Sequence, residues 1–232
     1  MIELRRSDDR GHARHGWRDS RPRFSFADYH DAEHMGFGPL RVINEDFVQP
    51  GMGFGTHGHR DMEIISYVLE GELQHRDSMG NGSVMTPGDI QRMSAGRGVQ
   101  HSEFNPSREK PVHFLQIWIE PSERGIAPGY EQTRVGDTEK RARLRLVAAP
   151  AGEGGAVTIH QDARVYAALL DGGDALKHAL APRRRAYVHA VRGVVHVNDI
   201  RLAPGDAAKI TGEAEVRLDK ADGAEVLLFD LP

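Results

Sequence analysis

The sequence of 232 residues contains no cysteine. That absence excludes disulfides, thiolate nucleophiles, iron–sulfur clusters and every cysteine-based zinc site. A strong excess of either charge is missing too: 30 Lys and Arg stand against 34 Asp and Glu, a formal net charge of −4. So slight an acidity argues against a nucleic-acid binder working through a basic field. No apolar run approaches the roughly 18 residues of a membrane span. The opening stretch, residues 1–10, lacks the apolar centre of a secretory signal. Hydrophobic residues make up 39%, lean but sufficient for compact cores. The expectation is a soluble, cytoplasmic, turn-rich chain that touches neither membrane nor nucleic acid. Two residue types are abundant: 26 glycines and 13 histidines, the latter potential metal ligands.

Strand-like segments dominate. Residues 40–43, 62–69, 112–119, 144–148, 157–160, 165–170, 186–191, 194–198 and 225–231 are short, rich in Val, Ile and aromatics, and bounded by Gly, Pro, Asp or Asn. No long stretch keeps a 3.6-residue apolar period. The pattern predicts an all-β protein of sandwich or barrel type, with short helices at 28–35 or 121–126. The polar segment 121–143 reads as a connection between two halves, 1–135 and 136–232. The halves share a faint repeat. Val68-Leu69-Glu70-Gly71 resembles Ala190-Val191-Arg192-Gly193, and Pro87-Gly88-Asp89 matches Pro204-Gly205-Asp206.

The first copy carries the chemistry. His57 and His59 are two apart, so on a strand their rings share a face, with Cα atoms about 7 Å apart. Glu63 keeps the same parity. His101 and Glu103 form a second pair of this kind. Chance alone supplies about 0.7 His-x-His pairs in such a composition, so neither pair is informative by itself. Their context is: both follow glycine-rich turns and flank the same Gly71 and Pro87-Gly88-Asp89 marks. The second copy is an internal control. The equivalents of His57 and His59 are Ala179 and Ala181, and those of His101 and Glu103 are Leu218 and Lys220. A single metal centre in the N-terminal half is expected, with three imidazoles and one carboxylate. The spacing alone leaves open whether Glu63 or Glu103 is the fourth ligand.

Other residues have plainer readings. His12 and His15 are expected as hydrogen-bonders in a polar loop, and His75 as facing solvent. His113 is expected as a satisfied core histidine. Trp17 and Trp118 read as core, Met52, Phe47 and Phe54 as packing, and Arg183-Arg184-Arg185 as a solvated turn.

Gly51-(x5)-His57-x-His59-(x3)-Glu63 resembles the first motif of the cupins. Residues 88–105 resemble the second, with Ser94-Ala95-Gly96 where Pro-x-Gly is usual. The longer gap from Gly96 to His101, and the seven residues between Glu63 and Gly71, resemble the pirin family, a branch with two cupin domains. Arg10-Gly11-His12, Phe24-Ser25-Phe26-Ala27, Met35-Gly36-Phe37-Gly38, His75-Arg76-Asp77-Ser78-Met79-Gly80-Asn81 and Met93-Ser94-Ala95-Gly96-Arg97-Gly98 are similar to pirins as well. The likeness is dense over residues 10–120 and thins after 145. Gly58 departs from it, standing where many pirins have proline.

The resemblance implies two cupin-type β-barrels (double-stranded β-helix, or jelly roll), the second without metal ligands. It implies His57, His59, His101 and Glu103 as ligands, leaving Glu63 either to support the site, for instance by fixing a histidine tautomer, or to serve a structural role. Three imidazoles and a carboxylate suit Fe(II), the first expectation, and also Mn, Co, Ni, Cu or Zn. The implied activity is a quercetin 2,3-dioxygenase type of reaction: the central ring of a flavonol is opened with O2, CO is released, and Glu103 accepts the flavonol hydroxyl proton. The implied partners are thus a small aromatic substrate and O2. The alternative is a non-enzymatic iron-binding regulator that responds to redox state through protein partners. A third reading is an isomerase or hydrolase on the same scaffold.

Overall fold

The computed structural model describes residues 1–14, 16–25, 30–32 and 34–232. Among them are twenty strands and one α-helix of four residues, so the all-β expectation holds. The chain forms two units. One comprises Arg10–Arg134 and Val157–Gln161, the other Met1–Asp9, Val135–Ala156 and Asp162–Pro232. The first strand, β1 (Ile2–Arg5), belongs to the second unit, whereas the expected division at 135 places it with the residues that follow.

The first unit is built on β2 (Ala13–Arg14), β3 (Arg18–Pro22), β4 (Leu40–Val48), β5 (Gly53–His59), β6 (Glu63–Glu70), β7 (Leu73–Asp77), β8 (Gly82–Met85), β9 (Asp89–Ser94), β10 (Val99–Phe104), β11 (Val112–Ile119) and β12 (Gly129–Arg134). Seven of these form a sheet in the order β12-β9-β6-β11-β4-β3-β2, and four form another in the order β5-β10-β7-β8. Both β6 and β11 are rich in Ile, Val, Leu and aromatics, which suits strands paired on both edges. Leu73 and Met85 of the smaller sheet pack with Val48, Val68, Val112 and Phe114 of the larger, so these inner faces meet in one core.

Register defines what that inner face presents. Phe114 lies opposite Asp46 and Val68, Gln116 opposite Asn44 and Ser66, and Trp118 opposite Val42 and Ile64. A polar row, Asn44–Gln116–Ser66, therefore crosses three strands between two largely apolar rows.

The connecting segment differs from expectation. It carries β12, an edge strand paired with β9, and a helix, α1 (Asp137–Lys140). The polar composition of β12 hid it, because an edge strand with one wet face needs no apolar run. No helix forms at 121–126, where Gly125 takes a φ of +70°. Of the other expected helix, Asp28, Tyr29 and Glu33 lie outside the described residues, as does His15.

The second unit contains β13 (Arg145–Ala149), β15 (Arg164–Gly172), β16 (Leu176–Ala179), β17 (Arg185–Val197), β18 (Ile200–Leu202), β19 (Ala207–Thr211) and β20 (Glu215–Leu231), while β14 (Val157–Thr158) falls in the first. Its sheet runs β1-β19-β17-β20-β15-β13, with β16 on β20 and β18 on β17. Its core is small and aliphatic, centred on Val188, Val195, Leu218, Val226 and Leu228.

The repeated marks take the same form in both units. Asp89 Oδ2 accepts the Thr86 N–H at 2.8 Å, and Asp206 Oδ2 accepts the Ala203 N–H at 3.0 Å. A Cβ on Gly71 would stand 2.6 Å from the Pro111 carbonyl oxygen, and one on Gly193 would stand 2.2 Å from that of Gly223. Both glycines therefore admit a neighbouring strand that a side chain would block. No helix among the described residues is long and apolar enough to cross a membrane.

Candidate metal centre

The centre forms where β5 meets β10. These strands pair antiparallel, with His57 opposite His101 and Phe54 opposite Glu103. Three residues of β5 thus span two of β10. The extra residue is a bulge, and it turns Phe54 onto the histidine face. His57, His59, His101, Glu103 and Phe54 then look the same way, toward the larger sheet. A Cβ on Gly53 would lie 2.2 Å from the Glu103 carbonyl oxygen and 2.5 Å from Phe104 Cα, so the strands close this tightly only over glycine.

His101 Nε2 stands 2.9 Å from His59 Nε2 and 3.1 Å from His57 Nε2. The His57 Nδ1–H donates to the Gly55 carbonyl at 2.8 Å. That bond fixes its tautomer and leaves the Nε2 lone pair bare. His101 is 2% exposed, and its Nδ1 is buried without a partner. Burial, with the charges of His59, His57 and His75, pushes the His101 ring down to about 2; burial and His57 push His59 down to about 4. Both rings are neutral at pH 7, the form that binds metal. Adjacent donors on a six-coordinate ion with bonds near 2.1 Å sit about 3.0 Å apart. The observed nitrogen separations suit such an ion, and three converging imidazole nitrogens suit little else.

Glu103 is 1% exposed. Ser66 Oγ donates to its Oε1 at 3.2 Å and Gln116 Nε2 to its Oε2 at 2.6 Å; the Trp118 indole N–H in turn donates to Gln116 Oε1 at 3.1 Å. The polar row of the larger sheet thus holds the carboxylate of the smaller one. Burial raises the Glu103 carboxyl to about 7, partly offset by the bonds from Gln116 and Ser66.

The four expected ligands do not make one tight set. His57, His59 and His101 form one cluster of donor atoms within 4.8 Å; Glu103 shares a second with His101 and His75. His75 is the residue that sequence reasoning missed. It is fully buried, and its Nε2 lies 3.1 Å from Asp77 Oδ2. The expectation that it faced solvent is corrected by its strand phase, which matches buried Leu73.

Glu63 lies elsewhere. A turn separates it from β5, so parity with His59 is lost. Its carboxylate accepts from Ser94 Oγ at 2.8 Å and lies 3.3 Å from His160 Nδ1, with no site histidine among these contacts. His113 meets Glu45 at 3.0 Å and stacks on Phe47. His12 meets Asp19 at 3.0 Å. Arg184 pairs with Asp230 and Asp162.

Beside the histidines opens a cavity of about 350 Å³. Its aromatic walls are Trp17, Phe54 and Trp118, two of which the sequence suggested were plain core; His57, His59 and Glu103 line it as well. Trp118 stands edge-on to His59, with ring centres 4.9 Å apart.

The sequence profile described as Pirin matches residues 3–119, and the one described as the quercetinase C-terminal cupin domain matches residues 146–231. The chain is 45% identical over 232 residues to the quercetin 2,3-dioxygenase of Escherichia coli K12, spanning 100% of this chain and 99% of that protein. It is 38% identical over 231 residues to a pirin-like protein of Caulobacter vibrioides, over 99% of each. The crystal structure of the bacterial pirin YhhW from Escherichia coli in complex with nickel(II) superposes with a TM-score of 0.96 at 45% identity, covering 100% of this chain and 99% of that one. A quercetin 2,3-dioxygenase structure from Acinetobacter baumannii, at 23% identity and a TM-score of 0.76 over 91% of this chain and 80% of its own, shares the fold. The histidine face of β5 and β10, the two-unit β architecture and these matches agree: the chain belongs to the pirin family, whose two cupin domains it carries.

Proposed function

We propose that the protein is a metal-dependent dioxygenase that opens the central ring of a flavonol such as quercetin with O2. The two carbon–carbon bonds flanking the hydroxyl-bearing carbon break. That carbon leaves as CO, and both atoms of O2 end in the ring-opened product. His57, His59, His101 and Glu103 hold one divalent ion, Fe(II) before Ni, Mn, Co, Cu or Zn. The carrying observation is the convergence of three imidazole Nε2 atoms, at 2.9 and 3.1 Å, beside an aromatic-lined cavity that His57 and His59 help to line. The names and the nickel complex of the relatives support the reading.

When bound, the ion supplies Lewis acidity that favours the ionised flavonol hydroxyl, and open positions for oxygen ligands. The chain's own residues do the rest. Trp17, Phe54 and Trp118 shed water and orient the flat rings by edge and face contacts. Glu103, which lines the cavity, takes the hydroxyl proton at a carboxylate oxygen. Gln116 and Ser66 keep it aimed while this happens.

The test is aerobic incubation of protein loaded separately with Fe, Mn, Co, Ni, Cu and Zn, following flavonol absorbance, O2 uptake and CO. Turnover with stoichiometric CO is expected with at least one metal. Protein that binds each metal yet consumes no flavonol overturns the reading in favour of a non-enzymatic role.

A further inference from the structure

The cavity has a polar wall that the metal chemistry does not use. Asn44 and Asp46 alternate on β4, so both side chains lie on the inner face, and both line the cavity. They are 2% and 3% exposed. Buried acceptors normally have donors. Here Asn44 Oδ1 and Asp46 Oδ1 have none, and the buried Arg18 Nε–H beside them has no acceptor. Their neighbours in the same rows are fully engaged: Gln116 and Ser66 are spent on Glu103. The unmet valences are therefore confined to the cavity end of the rows. Arg18 places its guanidinium carbon 5.3 Å from the Phe54 ring centre and 5.7 Å from that of Trp17, so the polar wall adjoins the aromatic one.

We propose that Asn44 and Asp46 form a specificity subsite that accepts hydrogen bonds from phenolic hydroxyls of the substrate other than the one at the metal. The subsite selects polyhydroxylated over sparsely hydroxylated flavonols. It rests on the dioxygenase reading and deepens it. An apolar ring edge at this wall would leave two buried acceptors permanently unmatched, which is strongly disfavoured, whereas a phenol O–H satisfies one and exchanges its bond to water for a bond to an acceptor that is already desolvated. A polyhydroxylated ring brings more than one donor to a wall that offers two such acceptors. Burial also raises the Asp46 carboxyl to about 6, as expected of a group short of donors. The Ser20 hydroxyl and Arg18 only partly oppose that rise.

The experiment compares quercetin with 3-hydroxyflavone, which keeps the reacting hydroxyl and lacks the outer ones. Dissociation constants come from Trp quenching under argon and kcat/KM from aerobic turnover, for wild type, Asn44→Leu and Asp46→Asn, each first checked for metal content. Asn44→Leu keeps the volume and removes the acceptor; Asp46→Asn keeps the shape and removes the charge. The preference for quercetin over 3-hydroxyflavone is expected to fall about tenfold in Asp46→Asn and severalfold in Asn44→Leu, in both ratios. An unchanged preference in a metal-replete variant overturns the subsite. If wild type turns over neither flavonol, the dioxygenase reading fails, while the ratio of dissociation constants still decides the subsite.

Discussion

At the scale of single residues, Glu103 is the most consequential. It is a carboxylate sealed under a sheet, with two donors and a raised pKa. The unfolded chain releases this proton near 4.5 and the folded chain near 7. Between those values the unfolded state binds fewer protons, so Glu103 lowers the stability of metal-free protein as pH rises through that window. Glu103→Gln keeps the shape and removes the charge. Denaturation of metal-free samples should show the variant gaining on wild type from pH 4.5 to pH 7, by on the order of 3 kcal/mol, and then levelling. With metal present the proposed ligand set predicts the reverse order, because the variant lacks the anionic member of that set. A pH-independent difference between the metal-free proteins would contradict the burial argument.

At the scale of elements, the bulge between β5 and β10 aims the candidate ligands. Gly53 and Gly55 make a matched pair for testing it. A Cβ at 53 collides with the backbone of Glu103 and Phe104, whereas one at 55 meets nothing within 4 Å. Gly53→Ala should cost about 1–3 kcal/mol in chemical denaturation and weaken metal retention in dialysis, while Gly55→Ala should stay within about 0.5 kcal/mol. Equal effects would mean the close approach is not what aims the site. This element also marks how far the sequence could be read. The pairs His57/His59 and His101/Glu103 were legible, because two-residue spacing on a strand dictates a shared face. The supports of Glu103 were not. Ser66 and Gln116 reach it from the opposite sheet, and nothing in a linear pattern says which polar residues of two packed sheets will meet. His75 was misread because it shares the face of Leu73, two residues before it, rather than alternating with it. Edge strand β12 was missed because its residues are polar on both faces. Glu63 misled because parity was carried across a turn.

At the scale of the molecule, the two units repeat the same turns yet differ in chemistry. Among the described residues, both clusters of metal-type donors lie within Arg10–Arg134. Elemental analysis of metal-replete protein should therefore return one ion per chain, and alanine at both His57 and His101 should abolish binding. Free ion at 1,000 times its dissociation constant should add about 4 kcal/mol to the unfolding free energy of the unit that holds it. Two ions per chain, or retention of metal in the double variant, would refute a single centre.

The pairing of β1 with β19 joins Ile2 to Ile210. On the ribosome, β1 thus emerges about 200 residues before the strand it pairs with. The metal-type residues, all emitted by position 103, can be sequestered in their own sheets long before β1 is docked. A translation product stalled before β19 would keep its histidine cluster while displaying an unpaired β1, an edge of the kind that chaperones and proteases recognise.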